Sequence, residues 1–340
     1  MPTILLIFFA ALIVAIAATP LAQRVAVRLG ILDQPNTRKV HTSPVPLLGG
    51  VAIYVAFLAA LLLFSETFYV NQVIGILLGA TWVSFLGIWD DWKNLRPLIK
   101  LGGQFFAIAI LLVTGVQVEF LRNPFLNFFV TAAWVVGITN AVNFLDNMDG
   151  LSGGVAAIAS AWFLALSLLN GQFLVAPFAA AIFGASLGFL VYNFNPARIF
   201  MGDAGSLFLG FILAAVGLKL RFPGHPDSIT WMIPVLVLGV PVLDMALVTF
   251  SRLRRGVNPW TTAGKDHLSH RLAALSGAEG DTNHRRAVLI IYALCLVTGA
   301  LGFVMQYLAF EIAYALFGIT LFIGILIIFY FERASHKQSL

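Results

Sequence analysis

Six carboxylate or amide side chains stand at the ends of segments that are otherwise apolar enough to cross a lipid bilayer: Asp90, Asp91, Asn143, Asp146, Asp149 and Asp203. An ionisable side chain at membrane depth costs about 2.5–3.5 kcal/mol even on lenient insertion scales, so such residues usually mark a functional site. Carboxylate and amide oxygens suit a hard cation, and a carboxylate can also act as a general base. These positions therefore predict a polar site whose chemistry is cation binding or proton transfer.

The segment ITNAVNFLDNMDGLSGG has the most regular spacing of polar groups. Asn140, Asn143 and Asp146 follow one another at intervals of three residues, and Asp149 comes three residues later. If the segment is helical, the four side chains share one face, which would suit a hard cation and a polar substrate. The alternative is a polar helix end closed by Gly150.

Asp203 precedes a further apolar segment and is flanked by Gly202 and Gly205. Asp is a good helix N-cap, and that role alone explains much of its position. A helix N-terminus beside glycines can also offer backbone N–H groups to a phosphate, with the Asp holding the metal of that phosphate. Capping and metal binding are compatible.

The adjacent carboxylates Asp90 and Asp91 follow another apolar segment. Such a pair can bind magnesium, or one member can act as a base while a nearby cation absorbs charge. The alternative is a solvated pair of charges at a helix end, neutralised by Lys93.

Two further segments are basic. The first contains Arg38, Lys39 and His41 and could simply fix the membrane topology. The second, at 251–286, gathers Arg252, Arg254, Arg255, Lys265, His267, His270 and Arg271. His267 and His270 could bind zinc, but no third ligand follows at the usual spacing. A phosphate-binding lid is favoured over zinc, and an amphipathic interfacial helix is the alternative.

Composition decides the class of protein that carries these groups. Of 340 residues, 60% are hydrophobic and 10% are charged, with a mean hydropathy of +0.94. Soluble domains are about 25% charged, so we predict an all-α, polytopic integral membrane protein with one domain over residues 1–340. Eleven apolar stretches are long enough to span, near 2–20, 46–64, 72–89, 102–118, 124–142, 153–170, 173–192, 204–219, 229–250, 287–305 and 312–331.

Basic residues predict the orientation of these eleven spans. All 20 Lys and Arg except Arg122, Lys219 and Arg221 fall in the odd-to-even connections or the C-terminal end. The N-terminus should therefore lie outside and the C-terminus in the cytoplasm. The polar connections then face the cytoplasm and can form one groove beside the bilayer. The net charge of +5 is explained by topology, and nucleic-acid binding is not expected.

Five sequence blocks between about residues 33 and 272 resemble the polyprenyl-phosphate N-acetylhexosamine-1-phosphate transferase family. They are DQPNTRKVHTSPVPLLGG, DDWKNLRPLIKLGGQ, NAVNFLDNMDGL, FNPARIFMGDAGS and DHLSHRL. The resemblance implies that undecaprenyl phosphate attacks the β-phosphate of a UDP-N-acetylhexosamine in the bacterial inner membrane. The products would be UMP and a lipid-linked diphosphosugar for cell-envelope polysaccharide synthesis.

The resemblance also implies roles for residues. Asp203 and Asn143 match positions that hold Mg²⁺, for which Mn²⁺ could substitute. Asp90 and Asp91 match an aspartate pair in which one member deprotonates the lipid phosphate or assists the metal, and His267 is a further catalytic candidate. The expected substrate-binding residues are Asn193 and Asp149 near the uridine, with Asp146, Lys100, Arg254, His270 and Arg271.

One block departs from the family pattern. Many relatives have His-x-His-His where this chain has His267-Leu268-Ser269-His270, so any role of the middle histidine is lost. His267 or His270 could substitute, or the group could serve only to bind the sugar. Asp244 is a further acidic residue within an apolar segment. It could pair with Arg252 or Arg255, or it could have a catalytic role.

Two other functions are weighed against transfer. A cation-coupled transporter would explain isolated membrane acids, but it would not explain the basic segment or the clustering on one side. A binding protein without catalysis is opposed by the intact Asp90–Asp91 pair and Asp203. UDP-GlcNAc is favoured over UDP-MurNAc-pentapeptide because no pentapeptide-binding feature is evident, and a GalNAc or modified-sugar donor stays open. The covalent mechanism and the oligomeric state, a homodimer included, stay open.

Overall fold

The computed structural model describes residues 2–34, 44–63, 69–259, 262, 264–275 and 281–337. The basic positions Arg38, Lys39 and His41 lie outside the described residues. The chain divides into two compact units, Met1–Arg221 and Phe222–Leu340.

The first unit is built almost entirely from helices. They are α1 (Pro2–Leu29), α2 (Gly49–Leu61), α3 (Val70–Lys93), α4 (Pro97–Val113), α5 (Pro124–Phe144), α6 (Leu151–Leu169), α7 (Val175–Asn193) and α8 (Gly202–Lys219). Two short antiparallel strands, β1 (Leu32–Asp33) and β2 (Val45–Pro46), lie between α1 and α2, with Leu32 opposite Pro46.

Helix α8 forms the core of this unit. Nearly every residue from 204 to 218 is buried, and the helix packs against α2, α3 and α5. A helix that is apolar on all sides must be surrounded by other elements. The polar N-terminal end of α8 is therefore surrounded by the ends of its neighbours.

The second unit is also helical within the described residues. Its helices are α9 (Asp227–Thr230), α10 (Met232–Val237), α11 (Gly239–Arg254), α12 (Leu268–Leu275), α13 (Asp281–Met305) and α14 (Phe310–Lys337). Helices α10, α11 and α12 pack against α13.

The all-α, multi-pass class predicted from composition is confirmed. Eight described helices are long and apolar enough to cross a bilayer: α1, α3, α5, α6, α7, α8, α13 and α14. The count of eleven spans is not confirmed, because α2 and α4 are shorter apolar helices and the segment expected at 229–250 is divided among α9, α10 and α11. Pro241 contributes to this division, since it has no N–H for the carbonyl of Val237.

Helix α1 is longer than the predicted span at 2–20, and it continues through Pro20 to Leu29. Proline at that position cannot donate to the carbonyl of Ile16, four residues earlier. The Tyr192 hydroxyl of α7 donates to that carbonyl instead, at 3.1 Å. The carbonyl is satisfied by tertiary structure, so Arg24 and Arg28 lie on the helix and not in a loop.

Candidate active site

Asp203, the second residue of α8, lies at the centre of a polar cluster in the first unit. Its Oδ1 accepts a hydrogen bond from Asn143 Nδ2 of α5 at 2.6 Å, and its Oδ2 accepts one from Lys100 Nζ of α4 at 2.7 Å. Asn143 also donates to Ser206 Oγ at 2.8 Å. The Asp203 side chain is 30% exposed, so the cluster is open to solvent or a ligand.

The N-cap role suggested for Asp203 is wrong. The residue before α8 is Met201, which makes no side-chain cap bond, and the Asp203 carboxylate faces Asn143 and Lys100. The cap is supplied by α3. Asp91 Oδ1 accepts the Asp203 N–H at 2.8 Å, and Asp91 Oδ2 accepts the Ala204 N–H at 3.1 Å.

Asp91 therefore occupies two N–H groups that the sequence had suggested for a phosphate. A carboxylate at this place also has a favourable interaction with the positive end of the helix dipole. Gly202 has a φ of +69°, and a Cβ there would lie 2.6 Å from Asp91 Oδ2. Only glycine fits this approach between α3 and α8.

Asp90 points to a different partner. Lys100 Nζ lies 2.6 Å from Asp90 Oδ2 and 2.7 Å from Asp203 Oδ2, so one ammonium group bridges two carboxylates. Asp90 Oδ1 accepts the Leu95 N–H at 2.6 Å, and the side chain is almost completely buried. The suggested pairing with Lys93 is wrong, because that ammonium lies 4.0 Å from the centre of the Trp92 ring.

Local sequence explains how Lys100 reaches Asp90. Helix α3 ends at Lys93, and its C-cap residue Asn94 has a left-handed φ of 50° and donates its N–H to the Asp90 carbonyl. Pro97 then begins α4, where its missing N–H costs nothing. This short turn places the first turn of α4 beside the last turn of α3.

The expected common face of Asn140, Asn143, Asp146 and Asp149 is wrong beyond its first half. Helix α5 ends at Phe144, so the two aspartates lie in the turn before α6. Within the helix, Asn143 faces Asp203 while the Asn140 amide pairs with Gln104 of α4.

Asp149 and Asn193 join the turn at 145–150 to the segment after α7. Asp149 Oδ2 accepts hydrogen bonds from Asn195 Nδ2 at 3.1 Å and from the Ala197 N–H at 2.9 Å. The buried Asn193 amide accepts from the Gly150 N–H at 3.1 Å and donates to the Ile199 carbonyl at 2.9 Å. These bonds hold two connections of the site in fixed positions.

Asp146 lies in the same turn and is only partly buried. Burial raises the pKa of its carboxyl to about 7, and the nearby Asp203 and Asp149 carboxylates contribute to the rise. Among the described residues, no hydrogen bond or ion pair neutralises this side chain. Asp146 can therefore exchange a proton near neutral pH.

In the second unit, the fully buried Asp244 pairs with His267. Its Oδ2 lies 2.8 Å from His267 Nδ1, and its Oδ1 accepts the Leu268 N–H at 2.6 Å. The suggested pairing of Asp244 with Arg252 or Arg255 is wrong. A histidine oriented by a buried carboxylate is an arrangement typical of general acid–base groups.

Both of those arginines bind Asp266 instead. Arg252 holds it with two hydrogen bonds of 2.9 Å, and Arg255 also donates to it. Burial alone would raise the pKa of Asp266, but the two guanidinium groups outweigh burial and lower it to about 2. This ion cluster links the last turn of α11 to the residues just before α12.

The remaining basic candidates differ in availability. Arg271 is nearly buried and donates to the Asp266 carbonyl, Ser251 Oγ and Glu332 Oε1, each at 2.8 Å. Arg254 is 47% exposed and lies 3.6 Å from Glu332. Burial, with the charges of His267 and Lys265, lowers the pKa of His270 to about 4, so His270 is neutral at pH 7.

The predicted site residues thus fall into two groups. Asp90, Asp91, Lys100, Asn143 and Asp203 form one contact network in the first unit, with Asp146 as an electrostatic neighbour and Asp149 and Asn193 in adjoining connections. His267, His270, Arg254 and Arg271 belong to the second unit. The sequence did not single out Glu332, because no spacing rule links it to its distant partners. Ser206 and Asp266 stand in the blocks FNPARIFMGDAGS and DHLSHRL, but no role was predicted for either.

The donor chemistry of the Asp203 cluster fits a hard cation. The cluster contains three carboxylates and one ammonium group, which contacts Asp90 and Asp203, so its formal charge is −2 if all are ionised. No group of three or more His, Cys, Asp or Glu side chains that could hold a metal occurs among the described residues. Magnesium, however, usually takes only one or two carboxylates and completes its shell with water and substrate phosphates.

Fold and site together define a multi-pass membrane protein with an enzyme-like polar cluster at the ends of its helices. A model of the family described as glycosyl transferase family 4 matches residues 73–221. A Bacillus subtilis (strain 168) protein named probable undecaprenyl-phosphate N-acetylglucosaminyl 1-phosphate transferase is 34% identical, over 99% of this chain and 92% of the relative.

Two other relatives have related names. The decaprenyl-phosphate N-acetylglucosaminephosphotransferase of Mycobacterium leprae (strain TN) is 32% identical over 84% of this chain and 80% of its own. The undecaprenyl-phosphate alpha-N-acetylglucosaminyl 1-phosphate transferase of Escherichia coli (strain K12) is 27% identical, with 84% and 79% covered. The chain belongs to the polyprenyl-phosphate N-acetylhexosamine-1-phosphate transferase family, as the five blocks predicted. These relatives give the transporter alternative no support.

Proposed function

We propose that this protein transfers N-acetylhexosamine 1-phosphate, with N-acetylglucosamine as the favoured sugar, from a UDP-sugar to undecaprenyl phosphate. The observation that carries the proposal is the Asp203 cluster, in which Lys100 and Asn143 each hold one carboxylate oxygen. The names of the relatives support the same reaction. The product would begin the synthesis of a cell-envelope polysaccharide.

In the net reaction, an oxygen of the lipid phosphate forms a bond to the β-phosphorus of the UDP-sugar. The bond between that phosphorus and the oxygen that bridges to the α-phosphate breaks, and UMP leaves with the bridging oxygen. Both reactants are anions, so the site must reduce their repulsion and stabilise charge on the departing UMP. Lys100 is placed to do so, because its ammonium group contacts both Asp90 and Asp203.

Asp90 is the better candidate for accepting the proton of the lipid phosphate. Asp91 uses both of its oxygens to cap α8, whereas Asp90 shares Lys100 with Asp203. A proton acceptor needs an oxygen within reach of the substrate, and it must be ionised before the proton arrives. The ammonium group of Lys100 favours the ionised form of Asp90.

Asp203, with Asn143, would hold the magnesium ion expected for this chemistry. Asn143 now directs its amide nitrogen at Asp203, so its oxygen would serve a cation only after the amide group turns over. When bound, the ion would neutralise phosphate charge and polarise the phosphoryl oxygens. The oxygen-rich composition of the cluster supports this assignment.

In the second unit we assign the phosphate-contacting role to Arg254 and the acid–base role to His267. Arg254 is half exposed, and its ion pair with Glu332 is long, at 3.6 Å. Arg271 and His270 are weaker candidates for direct charge stabilisation, since the first is held by buried acceptors and the second is neutral. Asp244 orients His267.

We further propose that the protein lies in the bacterial inner membrane with its N-terminus outside and its C-terminus in the cytoplasm. The distribution of Lys and Arg supports this orientation. Eight of the eleven proposed crossings are the long apolar helices. The uncharged parts of α2, of α4 and of the α9–α11 segment would supply the other three. A cytoplasmic site agrees with the cytoplasmic supply of UDP-sugars.

The decisive experiment incubates purified protein with undecaprenyl phosphate, magnesium and a panel of UDP-sugars, and measures UMP and lipid products. We expect UMP and a lipid diphosphosugar with UDP-GlcNAc and none with UDP-MurNAc-pentapeptide. Reactions without undecaprenyl phosphate serve as the control for donor hydrolysis. If no UDP-sugar releases UMP, the proposal is contradicted. That is the result expected of a transporter or a binding protein.

A further inference from the structure

A pair of amides, with Gln104 buried and Asn140 partly buried, joins α4 to α5 one turn away from the Asp203 cluster. Gln104 Nε2 donates to Asn140 Oδ1 at 3.2 Å, and Asn140 Nδ2 donates to Gln104 Oε1 at 2.8 Å. Gln104 is only 2% exposed. In an apolar interior, such reciprocal bonds are satisfied only when both side chains are directly opposite each other.

Each amide of the pair lies about one helical turn from a residue that holds Asp203. Gln104 follows Lys100 by four residues on α4, and Asn140 precedes Asn143 by three residues on α5. Lys100 and Asn143 bind the two different oxygens of Asp203. The three helices are therefore linked in a closed ring that passes through Asp203, Lys100, Gln104, Asn140 and Asn143.

We propose that Gln104 and Asn140 are positioning residues for the transfer reaction. Their amide pair sets the register of α4 against α5, and this register lets Lys100 and Asn143 meet Asp203 at the same time. A shift of either helix along its axis would unpair these two amides, of which Gln104 is buried. Because apolar contacts between helices tolerate sliding better than directed hydrogen bonds do, the pair gives the α4–α5 contact its specificity.

The inference rests on the proposed function only for its kinetic part. A displacement of about 1 Å in a catalytic group can reduce turnover by about a hundredfold, so loss of the pair should appear in kcat. Binding of the UDP-sugar by residues outside the ring should change much less. A split between kcat and KM therefore distinguishes positioning from general loss of structure.

The kinetic test compares four variants of the full chain. Gln104→Leu and Asn140→Leu remove the pair, the double variant Gln104→Asn with Asn140→Gln exchanges it, and Trp134→Phe is the matched control. Trp134 also lies on α5 and donates one interhelical hydrogen bond, to the Ala214 carbonyl of α8 at 3.0 Å. Purified proteins are assayed for kcat and for KM of the UDP-sugar.

We expect each leucine variant to lose at least about tenfold in kcat with KM changed by less than about threefold. The exchanged pair should recover most of the lost turnover, and Trp134→Phe should behave like the wild type. Unchanged kcat in both leucine variants, or an equal loss in Trp134→Phe, would overturn the proposal. If the leucine variants do not fold, the exchanged pair decides: an active protein supports the proposal, and a folded inactive one refutes it.

A second measurement needs no turnover. Thermal unfolding midpoints are compared for Gln104→Leu, Lys100→Met and the double variant, with Trp134→Phe combined with Lys100→Met as control. Residues of one network give non-additive shifts, and independent sites give additive ones. We expect non-additivity for Gln104 and additivity for Trp134; additive shifts for both would refute the ring. Lack of UMP from the wild type would contradict the proposed function alone.

Discussion

Asp203 and Asp90 share a single ammonium group, and this arrangement predicts what their removal should do. Asp203→Ala removes the acceptor of two charged or amide donors, and Asp90→Asn removes one negative charge beside Lys100. Each should lower turnover by at least about tenfold, the low side for positioned acid–base groups. UMP release at saturating substrates is the measurement.

The control for these two variants is Glu119→Gln. Glu119 is 53% exposed and its ion pair with Arg221 is a surface contact, worth about 0.2–1 kcal/mol at most. Turnover close to the wild type is expected for it. Near-normal rates in both Asp203→Ala and Asp90→Asn would remove the cluster from the reaction.

Asp146 predicts a dependence of stability on pH. Its folded pKa of about 7 lies above the ordinary value of 3.8, so the folded protein binds the proton more tightly than the unfolded chain does. The stabilisation is complete below about pH 4 and is lost as the pH rises through 7. Asp146→Asn should therefore flatten this part of the stability profile, measured as the unfolding midpoint from pH 4 to 8.

An equal decline of stability in wild type and Asp146→Asn over that range would show that another group is responsible. Asp227→Asn is a suitable control, since Asp227 is exposed at the start of α9. Its profile should follow that of the wild type.

At the scale of helices, glycines set how closely α8 is surrounded. A Cβ on Gly50 would overlap the backbone of Gly205, and a Cβ on Gly87 would overlap the Asp203 carbonyl and Ala204. Helices α2 and α3 therefore approach the N-terminal end of α8 with their backbones. Side chains at these two positions would separate the helices that position Asp203.

This close packing predicts opposite effects for two glycine-to-alanine changes. Gly87→Ala should destabilise the protein and lower turnover, because the overlap is with backbone and cannot be relieved by a rotamer change. Gly102→Ala in α4 has no atom within 4 Å of the new Cβ, so it should stabilise the helix by about 0.5–1 kcal/mol. Unfolding midpoints and UMP release measure both; equal stability of the two variants would contradict the packing argument.

The sequence predicts where the helices lie, but it does not predict where all of them end. Apolar length located a helix or helical segment in each of the eleven stretches, because hydrophobicity is a local property. It could not extend α1 through Pro20, since the hydroxyl that satisfies the freed carbonyl comes from Tyr192, 176 residues from its acceptor. Apolar length also could not predict that α5 ends at Phe144. The predicted common face of four polar residues is wrong because two of them lie beyond that end.

For the polar sites, too, the sequence predicted which residues matter but not which partners they contact. Sequence blocks brought Asp90, Asp91, Asn143 and Asp203 to attention, but they gave no means of dividing the labour between the two adjacent aspartates. The direction of each side chain decides that Asp91 caps α8 while Asp90 binds Lys100. Tertiary structure likewise decides the partner of Asp244. Arg252 and Arg255 both bind Asp266, and Asp244 pairs with His267.

For the whole molecule, the unequal distribution of basic residues predicts which helix ends face the cytoplasm. Lys93 and Arg122 are both exposed and both lie at or near helix ends, on opposite sides of the bilayer in the proposed topology. The native Cys295 is buried and gives little background, and Cys295→Ser removes it. Single-cysteine variants Lys93→Cys and Arg122→Cys therefore report the two faces.

In spheroplasts treated with a membrane-impermeant thiol reagent, we expect Arg122→Cys to be labelled at once and Lys93→Cys only after the membrane is permeabilised. Cys295→Ser without an added cysteine is the control. The reverse labelling pattern would place Asp90, three residues from Lys93, on the side that lacks UDP-sugars. Since the donor cannot cross the bilayer, that single result would contradict both the orientation and the proposed reaction.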